Sequence, residues 1–295
     1  MKLLTIEHDG EYALGIVTDR GILDVSAALA ATGNDGLVPE TVHDVIEGGA
    51  EYVRRMAEWE RKLPNGSYYR EETSVSYGPC VTNPSKIICV GLNYRKHAEE
   101  SNMPIPEFPI LFNKFNNTLT GHGHDVPLPR VTEEADYEAE LTIVIGKTAK
   151  YVSKEEALDR VFGYCCANDL SARDLQFRTN QWLLGKSLDS FSPLGPYLVT
   201  ADEVGDPNAL DIKCMVNGEE RQHSHTSDMI FPCDEIVSYI SQHMTLFPGD
   251  IILTGTPAGV ALGYPPDSRP YLKHGDIVTI EIEKLGAITN RMVAE

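Results

Sequence analysis

Glu138 and Glu140 sit two apart in the run Asp136-Tyr137-Glu138-Ala139-Glu140-Leu141-Thr142-Ile143-Val144-Ile145, and Asp169 follows a second apolar run, Val161 to Asn168. Side chains alternate faces along a strand, so the two glutamates point the same way, roughly 6–7 Å apart at Cα. Parallel acids at the rim of an apolar strand repel each other and lose hydration, which is costly unless a cation lies between them. Three hard oxygen ligands therefore suggest a divalent metal, and an oxygen-only set favours Mg2+ or Mn2+ over zinc, which usually takes nitrogen or sulfur. A bare Glu-x-Glu also fits the solvent face of an amphipathic edge strand. The company the pair keeps separates the two readings: Arg173, Gln176 and Lys186 lie downstream of Asp169, and His97 with Glu100 lies upstream.

On a helix beginning near Asn93, His97 and Glu100 share a face, so the carboxylate can orient the imidazole and support it as a general base. Such a base contributes about 100- to 10,000-fold in rate. The following stretch, Ser101-Asn102-Met103-Pro104-Ile105-Pro106-Glu107-Phe108-Pro109, is proline-rich. It suits the hinge of a lid, with residues 93–107 ordering when the site fills. Two further pairs, His122 with His124 and His223 with His225, read as loop or turn histidines, because glycine and serine surround them and no acidic partner is evident.

The elements that must position these groups are mainly strands. Buried runs are expected at Lys86 to Gly91, Leu141 to Ile145 and Val161 to Ala167, a tight hairpin at Asn217-Gly218, and a half-buried strand at Ile277 to Ile282. Helices are expected at Asn93 to Ser101, Lys154 to Arg160, Ser171 to Arg178 and Cys233 to His243. Residues 1–75, with short β-like pieces and a helix from Thr41 to about Lys62 that Pro64 and Gly66 end, read as a small α+β domain. Residues 76–295 then form the catalytic domain, and the whole is α+β, predominantly β.

The 295 residues are 42% hydrophobic and 23% charged, the profile of an ordinary globular protein. No stretch approaches the about 20 apolar residues that span a bilayer. The start turns acidic before any signal-peptide core could form, so the cytoplasm is the expected compartment. Six cysteines without Cys-x-x-Cys spacing read as reduced and structural. A net charge of −19 argues against nucleic acid and anionic membrane as partners. If the substrate is itself an acid, the site needs local positive charge, which a metal with Arg173 and Lys186 could supply. Gly185-Lys186-Ser187 is no phosphate loop, because Asn180 stands where that loop needs glycine.

Gly91-Leu92-Asn93-Tyr94 with His97 and Glu100, Asp136 to Glu140, Asn168 to Asp174, Gly185-Lys186-Ser187, Asp228 to Phe231 and Gly249 to Pro257 together resemble the fumarylacetoacetate hydrolase family across residues 85–290. The resemblance implies a mixed β-sandwich roll, usually dimeric, holding Mg2+ or Mn2+ at Glu138, Glu140 and Asp169. It also implies a 2-oxo acid bound to that metal, faced by Lys186 with Arg173 and Gln176 nearby, and its carboxylate held by Thr256. In that chemistry electrons move into the 2-keto oxygen, so a cation and the Lys186 ammonium stabilise an enolate. Hydrolysis of a C–C bond in acylpyruvate-like diketo acids, with water activated by His97 and Glu100, is the leading expectation. Oxaloacetate decarboxylation, isomerisation of unsaturated 2-oxo dioic acids and a catalytically silent binding protein are the alternatives.

Overall fold

The strands Ala139–Ile145, Val161–Asn168 and Ile87–Gly91 are buried at every position, as near-continuous apolar runs require. The computed structural model describes residues 1–33, 36 and 38–295. Ala139–Ile145 lies at the middle of the large sheet, antiparallel to Val161–Asn168 on one side and to Ile251–Leu253 on the other. Ile87–Gly91 and Ile110–Lys114 extend one flank, and Ser192–Thr200, Lys2–His8, Glu11–Thr18, Gly21–Asp24 and Tyr69–Arg70 extend the other.

A second sheet of five strands runs Glu219–His225, Asp211–Val216, Ile277–Ile282, Gly286–Ala294, Asp125–Leu128. Its Val278, Ile280 and Ile282 alternate inward and join Leu141, Ile143 and Ile145 in one apolar cluster. On the opposite face of the large sheet, Val144, Phe162 and Cys165 belong to one apolar cluster with Val45, Ile46 and Met56 of the helix Val42–Lys62. Packing on both faces explains why the central runs carry almost no polar interruptions. Each Val, Leu or Ile so buried contributes about 1.5–3 kcal/mol.

The mixed, predominantly β architecture matches expectation, while several details differ. Residues 1–75 are continuous with the rest, because Lys2 and Leu3 pair with Val199 and Leu198 and the same apolar cluster spans both regions. The helix Val42–Lys62 begins at a Thr41–Asp44 capping box and kinks at Gly49, whose φ of 58° is left-handed. The expected Ser171 to Arg178 helix is a short strand, Ser171–Ala172, followed by one turn, Arg173–Gln176. Near His97 the helix is Arg95–Glu100, held at its entry by Asn93, whose side chain bonds Phe231 N and O and Thr254 O.

Asn217 and Gly218 form the expected tight turn, both with positive φ. All six cysteines are buried and unpaired. His223 and His225 lie in the strand Glu219–His225 rather than a turn. Acidic partners exist as well: His223 is 3.3 Å from Glu220 and His124 is 3.3 Å from Glu7. Among the described residues no helix is long and apolar enough to cross a membrane.

Candidate active site

Pairing of Ala139 with Asn168 and of Glu140 with Ala167 sets the ends of two central strands side by side, so Asp169 emerges next to the glutamates. The run through Glu138 is not one strand. Ala135–Asp136 pairs with Ser171–Ala172, the next strand starts at Ala139, and Glu138 lies between them. Its N–H donates to Asn168 Oδ1 at 3.0 Å and its carbonyl accepts from Asp169 N at 2.9 Å, which locks the break in place. Glu138, Glu140 and Asp169 are buried, and one carboxylate oxygen of each lies within 4.8 Å of the others.

The cations around this cluster are already engaged. Lys186 Nζ donates to Glu138 Oε2 at 2.7 Å and to Asp169 Oδ2 at 2.9 Å. Lys114, fully buried, donates to Asp169 Oδ1 at 2.5 Å and to the Phe191 carbonyl at 2.6 Å. Arg173 donates through Nε to Asp136 at 2.8 Å and through Nη1 to Gln176 Oε1 at 2.9 Å, and its Nη2 lies 2.7 Å from Glu138 Oε1. Glu140 has no cationic partner among the described residues, and its hydrogen bond comes from Gly255 N at 2.7 Å.

Four buried carboxylates, Asp136, Glu138, Glu140 and Asp169, thus face three cations, Lys114, Lys186 and Arg173. Burial pushes the Glu138 carboxyl up, but Lys186 and Arg173 outweigh it and hold it well below the usual range. Burial, Asp169 and Glu138 together push Glu140 far above that range. Burial lowers the Lys186 ammonium, yet Asp169 and Glu138 more than compensate and raise it. Were all four ionised, the carboxylates would exceed the cations by one charge, and Glu140, beside two more carboxylates, is the one left without a cationic partner among the described residues. That donor set fits a hard divalent cation held by Glu138, Glu140 and Asp169.

A cavity of about 310 Å3 opens onto this cluster, and His97, Glu100, Glu138, Glu140, Arg173, Gln176, Lys186 and Thr256 all line it. Asp169 is fully buried behind them. His97 Nδ1 is 2.8 Å from Glu100 Oε1. An ionised carboxylate only accepts, so Nδ1 carries the hydrogen and Nε2 keeps the basic lone pair of the neutral ring. Glu100 also receives Gly259 N at 3.0 Å, while the Thr256 hydroxyl accepts from Gln222 Nε2 at 2.9 Å. Gly259 has φ of +106°, and a Cβ there would stand 2.1 Å from the Arg221 carbonyl, so only glycine brings this N–H to Glu100.

Sequence reasoning missed three residues here. Lys114 ends the strand Ile110–Lys114 on the same face as Ile110 and Phe112, and a lysine at an inward-facing strand position is the signal that could have found it. Asp136 fixes both Arg173 and the loop after Thr256, accepting from Ala261 N and Leu262 N at 2.8 and 3.0 Å. Arg269, beyond the last of the motifs and outside all of them, also lines the cavity. A larger groove of about 1030 Å3 beside the helix Val42–Lys62 contains Arg20 and Arg54, which are paired with Glu60 and Glu58.

Comparison with known proteins places this geometry in context. Residues 86–293 match the fumarylacetoacetate hydrolase C-terminal family. The mitochondrial oxaloacetate tautomerase fahd2 of Xenopus laevis is 46% identical over 233 residues, 78% of this chain and 72% of its own. Oxaloacetate tautomerase YisK of Bacillus subtilis is 42% identical over 99% of this chain and 100% of its own. The crystal structure of maleylpyruvate hydrolase from Sphingobium, in complex with manganese(II) and pyruvate, superposes with a TM-score of 0.79 at 32% identity, covering 100% of this chain and 99% of that one. The chain therefore belongs to the fumarylacetoacetate hydrolase family of enzymes.

Proposed function

We propose that this protein moves a proton at C3 of a 2-oxo dicarboxylic acid of the oxaloacetate class, interconverting its keto and enol forms with a divalent cation bound. The observation that carries this reading is the meeting of a carboxylate triad, a buried ammonium and an oriented imidazole at one small cavity. Relatives named oxaloacetate tautomerase, one of them matched over 99% of this chain, support the choice of substrate.

Mg2+ or Mn2+ at Glu138, Glu140 and Asp169 supplies Lewis acidity toward the 2-keto oxygen when bound. The remaining work falls to the chain. His97 Nε2 takes the C3 proton, the C–H pair enters the C2–C3 bond, and the carbonyl π pair goes to oxygen. Return of a proton to oxygen gives the enol, and return to C3 regenerates the ketone. Glu100 stabilises the transient imidazolium, and Lys186 keeps positive charge beside the triad. Arg173 and Gln176 act as positioning residues, because the Arg173 guanidinium is committed to Asp136, Glu138 and Gln176. Thr256, oriented by Gln222, is assigned to the C1 carboxylate.

The second reading is hydrolysis of acylpyruvate-like diketo acids, with water rather than carbon giving its proton to His97. The intact dyad and the likeness to maleylpyruvate hydrolase favour it. One preparation loaded with Mg2+ is assayed for decay of the oxaloacetate enol, for acetylpyruvate cleavage and for pyruvate release from oxaloacetate. Enol decay alone is the expected result. Acetylpyruvate cleavage at comparable kcat/KM selects the hydrolase, and stoichiometric pyruvate from oxaloacetate selects the decarboxylase. His97→Ala is expected to lose about 100- to 10,000-fold in kcat while binding Mg2+ as before in calorimetry.

A further inference from the structure

We infer that Arg269 binds the distal carboxylate of the substrate and so restricts the site to dicarboxylic 2-oxo acids, a specificity that rests on the function proposed above. Three cationic side chains line the cavity, Arg173, Lys186 and Arg269. The first two are consumed by the protein's own carboxylates. Arg269 is different: Nε reaches the Tyr264 carbonyl and Nη1 the Tyr271 hydroxyl, both at 3.4 Å and both neutral. Bonds that long are weak, and the guanidinium forms no ion pair among the described residues.

The loop carrying Arg269 is pinned by the elements that build the rest of the site. Its early residues Gly259, Ala261 and Leu262 donate their N–H groups to Glu100 and Asp136, and Leu272, just beyond, donates to the Ala135 carbonyl at 2.8 Å. Asp136 also receives Arg173, which in turn contacts Glu138. The Arg269 backbone is thereby anchored near the triad, and its weakly bonded fork is free to turn onto a carboxylate.

Electrostatics favours such a group at the end of the cavity away from the triad's cation. A chain of net charge −19 repels a dianion, and Lys186 and Arg173 have no charge to spare. A substrate with carboxylates at both ends would meet the triad's cation with one and Arg269 with the other.

The test compares full-length wild type and Arg269→Gln, both loaded with Mg2+, using two pairs of probes. The first pair is oxaloacetate and its 4-methyl ester, read as KM and kcat. The second is 3,3-difluorooxaloacetate and its 4-methyl ester, which cannot enolise, read as Kd by calorimetry. Wild type is expected to prefer each diacid over its ester by about tenfold or more, the scale of a charge-assisted pair. Arg269→Gln is expected to erase that preference through KM and Kd, leaving kcat for the ester and Mg2+ affinity unchanged. No diacid preference in wild type overturns the inference without any variant, as does equal weakening of diacid and ester by Arg269→Gln. If oxaloacetate is not turned over while the difluoro pair is still discriminated, the proposed function fails and the carboxylate subsite stands.

Discussion

Glu140 is buried beside Glu138 and Asp169 and is pushed toward its neutral form, first by burial and then by those two charges. A group in that position destabilises the metal-free protein whenever it ionises. Glu140→Gln is therefore expected to raise the melting temperature of EDTA-treated protein by roughly 2–4 °C, the shift for about 1 kcal/mol in a chain of this size. It should also abolish the further rise that Mg2+ gives to wild type, and scanning calorimetry reads both effects. A cation needs the ionised form of Glu140, which burial, Asp169 and Glu138 disfavour, so Mg2+ affinity should increase as pH rises. Of these residues, the acids and Lys186 were legible in the sequence because they stand in short recognisable runs. Lys114 and Arg269 were not, since each reaches the site from a strand end or loop that only the folded chain brings near.

At the scale of elements, the segment after Arg95–Glu100 is loosely packed where it passes the cavity. Met103 and Ile105 are each half exposed and Phe108 more so, although Met103 touches the cavity. Few buried contacts hold this stretch, which is the condition for local opening. Hydrogen exchange across residues 101–109 is expected to slow when Mg2+ and oxalate are added, and unchanged protection would remove any role for it as a cover. Strand order could not be read from the sequence, since periodicity gives faces but not partners. The break at Tyr137–Glu138 was hidden for a related reason: Asn168 supplies the side-chain bond that interrupts the ladder, and Asn168 is distant in sequence. The hairpin at Asn217-Gly218 was legible because both positive φ values are encoded in two adjacent residues.

For the whole molecule, the decisive fact is that the ligand-bearing strands are also its most deeply packed ones. Ile143 lies three residues from Glu140 and is fully buried against the second sheet. Ile143→Ala is expected to cost about 2–5 kcal/mol in urea unfolding and to weaken Mg2+ binding with it, although no ligand has changed. Intact Mg2+ affinity in a destabilised variant would show that centre and core are uncoupled. The expected division at residue 75 left no mark on the sheet, because the pairing of Leu3 with Leu198 joins positions nearly 200 residues apart, beyond the reach of any local pattern.

Glu140 and the residue just before Asp169 stand on neighbouring strands that are packed from above and below. The seat between them inherits the stiffness of the protein's centre, and a stiff seat sorts its guests by radius. An ion that binds there has to take the three oxygens at the spacing the layers fix, because shifting them means prising apart what the entire fold holds shut.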